Sequence, residues 1–185
     1  MTSAFSAVVL AGGVAARLDG ADKASVELHG RTLLTWALDA VVDAAEVVVV
    51  GDPVPTHRPV TFTREDPRHG GPVAALLTGR DALLDPRPAL AVLACDMPYL
   101  TPASFTRLRE AATGRDGAVL VGPDGRRQLA MVLDLDRLDA VRPTLEEQHG
   151  LALHRLLAPL DLGEVGAEGR EHRDVDTWAD VRDLT

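Results

Sequence analysis

Short apolar runs that stop at glycine or aspartate constrain the fold of this 185-residue chain more than any other feature. Residues 7–10, 47–50 and 89–94 consist only of Ala, Val and Leu, and each run is followed within two residues by glycine or aspartate. Runs without polar alternation indicate strands that are buried on both faces. Residues 33–42, between the first two runs, carry apolar side chains at helical spacing. This alternation predicts an α/β fold whose mostly parallel central sheet is covered on both faces.

The rest of the chain continues the pattern. Thr101-Pro102 is typical of a helix start, with threonine as the N-cap and proline at the first helical position. Gly71-Pro72 predicts another such start, and residues 163–172 are the most loop-like stretch. Helices are predicted over 33–42, 73–84, 102–112, 135–141, 150–157 and 178–184, and strands over 7–10, 47–50, 60–63, 89–94, 118–121 and 128–133, with weaker edge strands at Val165 and over 173–175.

Composition and charge narrow the class of protein. The length and the 46% hydrophobic content fit one domain over residues 1–185. The formal net charge of −9 argues against nucleic acid or an anionic membrane as the main partner. Cys95 is the single cysteine, so we expect no intrachain disulfide and a buried small residue there. The sequence shows no signal-peptide pattern and no apolar run of the roughly 20 residues that span a bilayer, so we expect a cytoplasmic protein.

The loop after the first run predicts a phosphate site. Gly12-Gly13 allow a sharp turn and leave backbone N–H groups uncovered for a phosphate chain. Arg17 and Lys23 lie on the same connection, and two cations suit a triphosphate that loses pyrophosphate. The loop is not a P-loop, because Lys23 is preceded by Asp22 and followed by Ala24, and the Gly-x-Gly-x-x-Gly pattern of dinucleotide-binding folds is absent.

A carboxylate follows the third run. Asp96 comes at the end of a predicted central strand, and ligands of open α/β sheets bind at the carboxyl ends of the strands. Mg²⁺ prefers carboxylate, water and phosphate oxygens. Asp96 is therefore suitably placed and of the right chemical type to hold Mg²⁺.

Together these motifs resemble the molybdenum cofactor guanylyltransferases, which belong to the wider group of NTP transferases. The opening motif of that family is Leu-Ala-Gly-Gly-x₃-Arg-Met-Gly-x-Asp-Lys; here Leu18 replaces Met and one extra residue precedes Gly20. The resemblance implies a Rossmann-like, three-layer α/β/α fold of the nucleotide-diphospho-sugar-transferase type. The matching residues are Leu10, Ala11, Gly12, Gly13, Arg17, Gly20, Asp22 and Lys23.

The resemblance also implies roles for later residues. Asp66, in the pair Glu65-Asp66, would face the nucleotide, and the Gly71-Pro72 turn would lie near the base. Asp96 matches the family's Mg²⁺ ligand. Asp174 and Asp176 stand where the family commonly has Asn-x-Asn. Either aspartate could add a ligand to the metal, and the alternative is that this segment only caps the last helix.

The implied reaction moves GMP from GTP to the terminal phosphate of molybdopterin and releases pyrophosphate. Arg17, Lys23 and Asp96 are the catalytic candidates, and a protein that delivers or receives the cofactor is implied as a partner. The implied nucleotide-binding set is Leu10, Ala11, Gly12, Gly13, Arg17, Lys23, Asp66, Gly71, Pro72 and Asp96. The acceptor region matches least, and its candidates are Gln128 with the cations Arg126, Arg127, His149, His154 and Arg155.

Two alternatives remain open at this point. The first is a related nucleotidyltransferase, which would transfer a cytidylyl group to the same pterin or a nucleotide to another phosphorylated metabolite. The second is a paralogue that binds nucleotide without turnover. The altered 174–176 segment favours the second alternative, whereas the presence of Arg17, Lys23 and Asp96 argues against it.

Overall fold

The computed structural model describes residues 4–12, 22–65 and 70–184. The first described element is a strand, and a short 3₁₀ turn at Lys23–Ser25 precedes the second strand. In chain order the strands and helices are β1 (Phe5–Leu10), β2 (Glu27–Leu28), β3 (Arg31–Thr32), α1 (Leu33–Ala40), β4 (Glu46–Val50), β5 (Thr61–Thr63), α2 (Pro72–Asp81), β6 (Ala89–Ala94), α3 (Pro102–Ala111), β7 (Gly117–Val121), β8 (Arg127–Asp134), α4 (Leu135–Ala140), α5 (Leu145–Gln148), α6 (Leu153–Leu157), β9 (Leu162–Gly166) and α7 (Trp178–Leu184).

A seven-stranded sheet forms the centre of the fold, with the strand order β5-β4-β1-β6-β8-β7-β9. β8 runs antiparallel to β6 and β7, and the other pairings are parallel. The predicted α/β class with a mostly parallel sheet is confirmed. Every strand of this sheet except β8 therefore ends at the same side, which we call the carboxyl edge; it includes Ala11, Gly51, Cys95 and Gly122.

Helices cover both faces of the sheet, which explains why the central strands are apolar throughout. All six residues of β1 are buried. Ala7 and Val9 pack in one core layer with residues of α1 and α3. Val8 packs in the other layer with residues of α2, α4 and α6. Alternate side chains of one strand thus enter opposite layers, and the implied three-layer arrangement is confirmed.

Local signals fix most of the helix starts. Thr101 caps α3 in a reciprocal capping box with Ser104, and Pro102 follows as the first helical residue. Gly71 precedes α2 with a φ of +91°, a conformation that favours glycine. Predicted and observed boundaries of the strongly periodic elements differ by about three residues or less.

Three predictions about elements are wrong. Residues 173–175 form no strand; Val175 donates one backbone hydrogen bond to the Asp96 carbonyl, at 2.9 Å, instead of pairing along a ladder. The helix predicted from 150 begins only at Leu153. The loop-like stretch predicted over 163–172 is wrong at its start, where residues 163–166 belong to β9; the edge strand predicted at Val165 is thereby confirmed. The two-residue strands β2 and β3 are too short to leave a periodic signal, so sequence reasoning missed them.

Two reciprocal ion pairs join α2 to the segment that contains α4. Arg80 binds the Asp139 carboxylate through two hydrogen bonds of 2.8 and 2.6 Å. Arg142 binds Asp81 in the same way, at 2.6 and 2.5 Å. Paired guanidinium–carboxylate contacts fix orientation as well as distance, so these two ion pairs help to set the position of α2 on the sheet. Within the described part of the chain, no helix is long and apolar enough to cross a membrane.

Gly79 is where α2 lies closest to the sheet. A Cβ at this position would lie 2.5 Å from Val8 Cγ1 and 2.8 Å from Val50 Cγ2. Both valines are buried, and their β-branched side chains have little rotamer freedom. The helix can pack this closely because residue 79 has no side chain.

We therefore expect Gly79→Ala to lower the free energy of unfolding. Overpacking costs about 1–3 kcal/mol and outweighs the roughly 1 kcal/mol that alanine gains over glycine inside a helix. Gly166→Ala is the control, because a Cβ there meets nothing within 4 Å. Chemical denaturation measures both variants, and a Gly79→Ala protein as stable as the wild type would contradict the close packing.

Candidate active site

Lys23 lies between two carboxylates at the carboxyl edge. Its Nζ donates hydrogen bonds to Asp96 Oδ2 at 2.7 Å and to Asp176 Oδ1 at 2.5 Å. The three residues come from the first loop, from the end of β6 and from the segment before α7. The structure thus brings together two of the predicted catalytic residues and one of the two C-terminal aspartates.

The site is partly screened from solvent. The side chains of Lys23, Asp96 and Asp176 are 16%, 18% and 45% exposed. Burial lowers the pKa of Lys23, but the hydrogen bonds and charges of Asp176 and Asp96 outweigh it and leave that pKa above its ordinary value. Lys23 is therefore an ammonium at neutral pH, and it neutralises one of the two negative charges that meet it.

Backbone hydrogen bonds place Asp96. The N–H of Cys95 donates to the Leu10 carbonyl at 3.0 Å and continues the pairing of β6 with β1. The Asp96 carbonyl accepts from Val175, which brings the C-terminal segment to the end of β6. Cys95 is buried as expected, and burial raises the pKa of its thiol, so it is a packing residue rather than a nucleophile.

A helix cap fixes Asp176 beside Lys23. The Asp180 carboxylate accepts from the backbone N–H groups of Asp176 and Thr177, at 3.1 and 2.7 Å. The Thr177 hydroxyl accepts in return from the Asp180 N–H at 3.1 Å. Capping is thus the role of Thr177 and Asp180, and the Asp176 carboxylate contacts Lys23. Asp174 is an exposed residue. The partial burial of its carboxyl and the nearby charges of Asp176 and Asp96 raise the pKa of that carboxyl.

Buried contacts to α3 hold the segment that leads to these aspartates. The Glu171 carboxylate accepts from the Ser104 hydroxyl and from Arg107, the latter at 2.6 Å. It also accepts from the backbone N–H of Glu168 at 2.7 Å. Glu171 is only 6% exposed. Sequence reasoning missed this anchor because Glu171 lies in a stretch without periodicity.

The predicted nucleotide loop is only partly described, since Gly13, Arg17 and Asp66 lie outside the described residues. Ala11 belongs to the predicted nucleotide-binding set, but its N–H donates to the Val50 carbonyl at 2.9 Å and is therefore not available to a phosphate. Leu10 is buried, and its side chain packs in the core layer that contains α2. Gly12 is exposed at the carboxyl edge, where a phosphate can reach it.

Gly71 and Pro72 lie at the start of α2, as predicted. The segment before α6 adjoins this start, because the Gly150 N–H donates to the Gly70 carbonyl at 2.9 Å.

The cations proposed for the acceptor do not form one group. His149 precedes Gly150 and so lies on the α2 side, and His154 and Arg155 belong to α6, whose leucines pack in the layer with α2. Arg126 and Arg127 lie instead in the β7–β8 hairpin, where Arg127 is paired with Glu164 at 3.0 Å. These candidates thus come from two different parts of the fold, and their role toward an acceptor stays a prediction.

The arrangement suits phosphate chemistry with a divalent metal. Two carboxylates and one ammonium meet at the carboxyl edge, where open α/β sheets bind ligands. Among the residues that the structure describes, no three His, Cys, Asp or Glu side chains form a metal-binding group. A cation here would therefore complete its coordination with water or substrate oxygens, as Mg²⁺ commonly does.

A family model described as the MobA-like NTP transferase domain matches residues 7–165. The chain belongs to the MobA-like NTP transferase family. It is 30% identical over 138 residues to a molybdenum cofactor guanylyltransferase of Shewanella loihica, a match that covers 72% of this chain and 69% of that protein. Membership of this family makes the chain a nucleotidyltransferase.

Solved structures confirm the fold of this family member. A molybdopterin-guanine dinucleotide biosynthesis protein A from Archaeoglobus fulgidus has a TM-score of 0.74 at 18% identity, with 97% of this chain and 96% of that chain covered. A 2-C-methyl-D-erythritol 4-phosphate cytidylyltransferase from Thermus thermophilus has a TM-score of 0.76 at 20% identity, with 98% and 97% covered. Proteins named for different bases and acceptors thus share this architecture.

The Glu171 anchor predicts a pH-dependent loss of stability in Glu171→Gln. Burial raises the pKa of Glu171, but Arg107, Ser104 and the Glu168 N–H outweigh it and hold that pKa below the ordinary 4.5. The carboxylate therefore stabilises the fold above about pH 4.5, and this contribution disappears as the pH falls through the lowered pKa.

We expect Glu171→Gln to cost about 1–3 kcal/mol at pH 7, and the difference from the wild type to shrink below pH 4.5. Glu168→Gln is the control, because Glu168 is 73% exposed and contacts Arg107 at 3.3 Å. Thermal denaturation at several pH values measures the effect, and a difference that does not change with pH would be inconsistent with the ionic anchor.

Proposed function

We propose that this nucleotidyltransferase transfers GMP from GTP to the terminal phosphate of molybdopterin, which forms the guanine dinucleotide and releases pyrophosphate. The observation that carries the proposal is the contact of Lys23 with Asp96 and Asp176 at the carboxyl edge of the sheet. The relatives named as molybdenum cofactor guanylyltransferases support the choice of base and acceptor. The single-domain organisation and the cytoplasmic location stay predictions.

The donor set fits a magnesium ion. Asp96 and Asp176 direct carboxylate oxygens to one point, and the ammonium of Lys23 lies at that point as a positive charge. Hard oxygen ligands from two carboxylates match the preference of Mg²⁺. We assign Asp96 and Asp176 as the residues that would hold the ion, and Asp174 as a nearby charge. When bound, the ion supplies charge stabilisation to the phosphate oxygens.

In the proposed reaction, the triphosphate of the substrate is a second partner for Lys23. Its ammonium lies at the end of a flexible stem and is charged at neutral pH, so it can turn from the carboxylates to the triphosphate. Arg17 precedes Lys23 in the same connection of the sequence. We propose that the two side chains hold the departing pyrophosphate. Together the two cations would offset charge that grows on the leaving group.

The acceptor needs no activation by an enzyme nucleophile. Its terminal phosphate is ionised at neutral pH and attacks the α-phosphorus in line. The bond from the α-phosphorus to the bridging oxygen breaks, a new P–O–P linkage forms, and pyrophosphate leaves. The protein contributes position and charge, which are the main sources of rate in phosphoryl-type transfers. A protein that delivers or receives the pterin remains a predicted partner.

The alternative base is cytosine, since a cytidylyltransferase shares the architecture. The alternative of a paralogue that binds nucleotide without turnover is less favoured, because Lys23, Asp96 and Asp176 lie in contact with one another through Lys23.

Pyrophosphate release tests the proposal directly. With molybdopterin and Mg²⁺, we expect release with GTP and not with CTP, ATP or UTP. Lys23→Ala is the control, and its turnover is expected to fall by about 100-fold or more, because a positioned charge at a developing anion is worth that much. Pyrophosphate release with CTP would show that the protein is a cytidylyltransferase. GTP binding without pyrophosphate release would favour a protein that binds nucleotide without turnover.

A matched pair of variants tests the assignment of the metal ligand. We expect Asp176→Asn to weaken Mn²⁺ binding, followed by electron paramagnetic resonance, by at least about tenfold. Asp174→Asn should change it little, because Asp174 is exposed and the Lys23 salt bridges are made to Asp96 and Asp176. Equal losses of Mn²⁺ affinity in the two variants would show that binding depends on the total negative charge of the segment rather than on the Asp176 carboxylate.

A further inference from the structure

The terminal phosphate of the proposed acceptor needs a cation of its own. Lys23 supplies one positive charge against the carboxylates of Asp96 and Asp176, and in the proposed reaction it turns to the triphosphate. A phosphate monoester brings about two further negative charges at neutral pH. Guanidinium groups bind such phosphates through two parallel hydrogen bonds. We therefore searched the described residues for an arginine near Asp96 that no protein group already engages.

Unpaired arginines are few in the described part of the chain. Three of its arginines are exposed and form neither an ion pair nor a side-chain hydrogen bond with another described residue: Arg126, Arg155 and Arg173. The arginines that precede the last of these are engaged, since Arg170 contacts the Tyr99 hydroxyl at 3.4 Å and Arg107 pairs with Glu171 at 2.6 Å. A guanidinium without a protein partner can bind an anion without breaking an existing contact.

Of the three, Arg173 belongs to the segment that meets Asp96. It comes two residues before Val175, whose N–H donates to the Asp96 carbonyl at 2.9 Å. Two residues span at most about 7 Å, so the backbone of Arg173 lies close to the end of β6. Its own N–H donates to the Arg170 carbonyl at 2.8 Å, which fixes the turn on which it lies. The other two arginines belong to the β7–β8 hairpin and to α6.

The charge of Arg173 reaches the cap that holds Asp176. The Thr177 hydroxyl lowers the pKa of Asp180 most strongly, the backbone N–H groups of Asp176 and Thr177 add to this effect, and the charge of Arg173 lowers that pKa further. The guanidinium is thus near enough to attract the Asp180 carboxylate, yet the two side chains form no ion pair. Arg173 is therefore a free cation beside the residues that place Asp176.

The path of the segment places Arg173 on one side of Asp96. Glu171 anchors the segment to α3, which packs against β7 and β9. Val175 then reaches Asp96, and Asp176 reaches Lys23. Arg173 comes before these contacts, so it lies on the α3 side of the site.

The nucleotide is expected on the other side of Asp96. The exposed Gly12 follows β1, and β1 and β4 lie on one side of β6, whereas β8, β7 and β9 lie on the other. In an in-line displacement the attacking and leaving groups lie on opposite sides of the phosphorus. A phosphate on Arg173 would thus approach from the side opposite to the first loop, toward which pyrophosphate leaves.

We propose that Arg173 binds the terminal phosphate of the acceptor and holds it beside Asp96 for attack on the α-phosphorus. The inference rests on the proposed function, because it assigns a binding residue to the acceptor of that reaction. The ligand class is a phosphate monoester, and the forked N–H donors of the guanidinium match two of its oxygens. Arg173 recognises the phosphate and not the ring system that carries it.

Removal of the phosphate from the ligand and of the guanidinium from the protein tests this contact. Isothermal titration calorimetry measures the Kd of molybdopterin and of the same pterin after a phosphatase has removed its terminal phosphate. In the wild type, we expect loss of the phosphate to raise the Kd by about tenfold, the effect of one hydrogen bond to a charged group. In Arg173→Gln the two ligands should bind with nearly the same Kd. Equal sensitivity to the phosphate in both proteins would overturn the proposal.

Further arginine variants locate the effect. Arg137→Gln is the control, because Arg137 is 57% exposed and follows β8 at the opposite edge of the sheet. It removes the same charge and should leave both Kd values as in the wild type. Arg126→Gln and Arg155→Gln remove the other two unpaired guanidinium groups. Loss of phosphate sensitivity in either of them, with Arg173→Gln unchanged, would be evidence against Arg173. Arg173→Lys keeps the charge without the fork and should give an intermediate Kd.

Stability and nucleotide binding exclude a structural role. Arg173 is exposed and has no ion pair to lose, so the Tm of Arg173→Gln should equal that of the wild type. The Kd for GTP should also stay unchanged, because the triphosphate is assigned to the first loop. A higher Kd for GTP with an unchanged Kd for molybdopterin would place Arg173 on the nucleotide and overturn the inference. A lower Tm with equal losses for both pterins would do the same.

Pyrophosphate release distinguishes this inference from the proposed function. A wild-type protein that binds molybdopterin through its phosphate but releases no pyrophosphate with GTP would refute the proposed function and still support the inference. If pyrophosphate is released, Arg173→Gln should raise the KM for molybdopterin by about tenfold. An unchanged KM, or a wild-type protein that does not bind molybdopterin, would refute the assignment of Arg173.

Discussion

The contact of Lys23 with two carboxylates is the interaction on which the site depends. It joins residues 73 and 153 positions apart in the sequence, so it exists only if the sheet order, the end of β6 and the C-terminal segment are all correct. The pairing of β6 with β1 brings Asp96 next to the first loop. The Thr177–Asp180 cap and the Glu171 anchor bring Asp176 to the same point. Structural contacts far from the chemistry are thus needed to assemble it.

Electrostatics make this contact specific. Partial burial strengthens the attraction between charges, and it also makes an unpaired charge costly. A lysine between two aspartates leaves one negative charge in excess, which favours a further cation rather than an anion. In the proposed reaction, a metal held by Asp96 and Asp176 would offset their charges and leave Lys23 available to the phosphates.

The sequence predicted the fold class and the central strands, because buried strands and glycine turns leave local signals. It also named Lys23 and Asp96, which the structure brings into contact. It could not tell which of Asp174 and Asp176 contacts Lys23, since that contact depends on a cap that forms only with Asp180 in place. It placed Ala11 in the nucleotide-binding set, although the Ala11 N–H donates to the neighbouring strand β4. It also named acceptor candidates that the fold distributes over α6 and the β7–β8 hairpin. Each failure concerns a contact between distant segments, which periodicity and motif spacing do not encode.

The reversed strand β8 has a consequence for how such proteins diversify. A parallel strand needs a crossover through a covering layer, but β7 and β8 are joined by a short hairpin whose turn lies at the carboxyl edge. Its residues can change in length and chemistry without disturbing a helix, the turn that begins at Lys23 or the strand that precedes Asp96. Selection can thus vary this part of the carboxyl edge while the Lys23–Asp96 contact is inherited intact, which makes the hairpin an evolvable part of the scaffold.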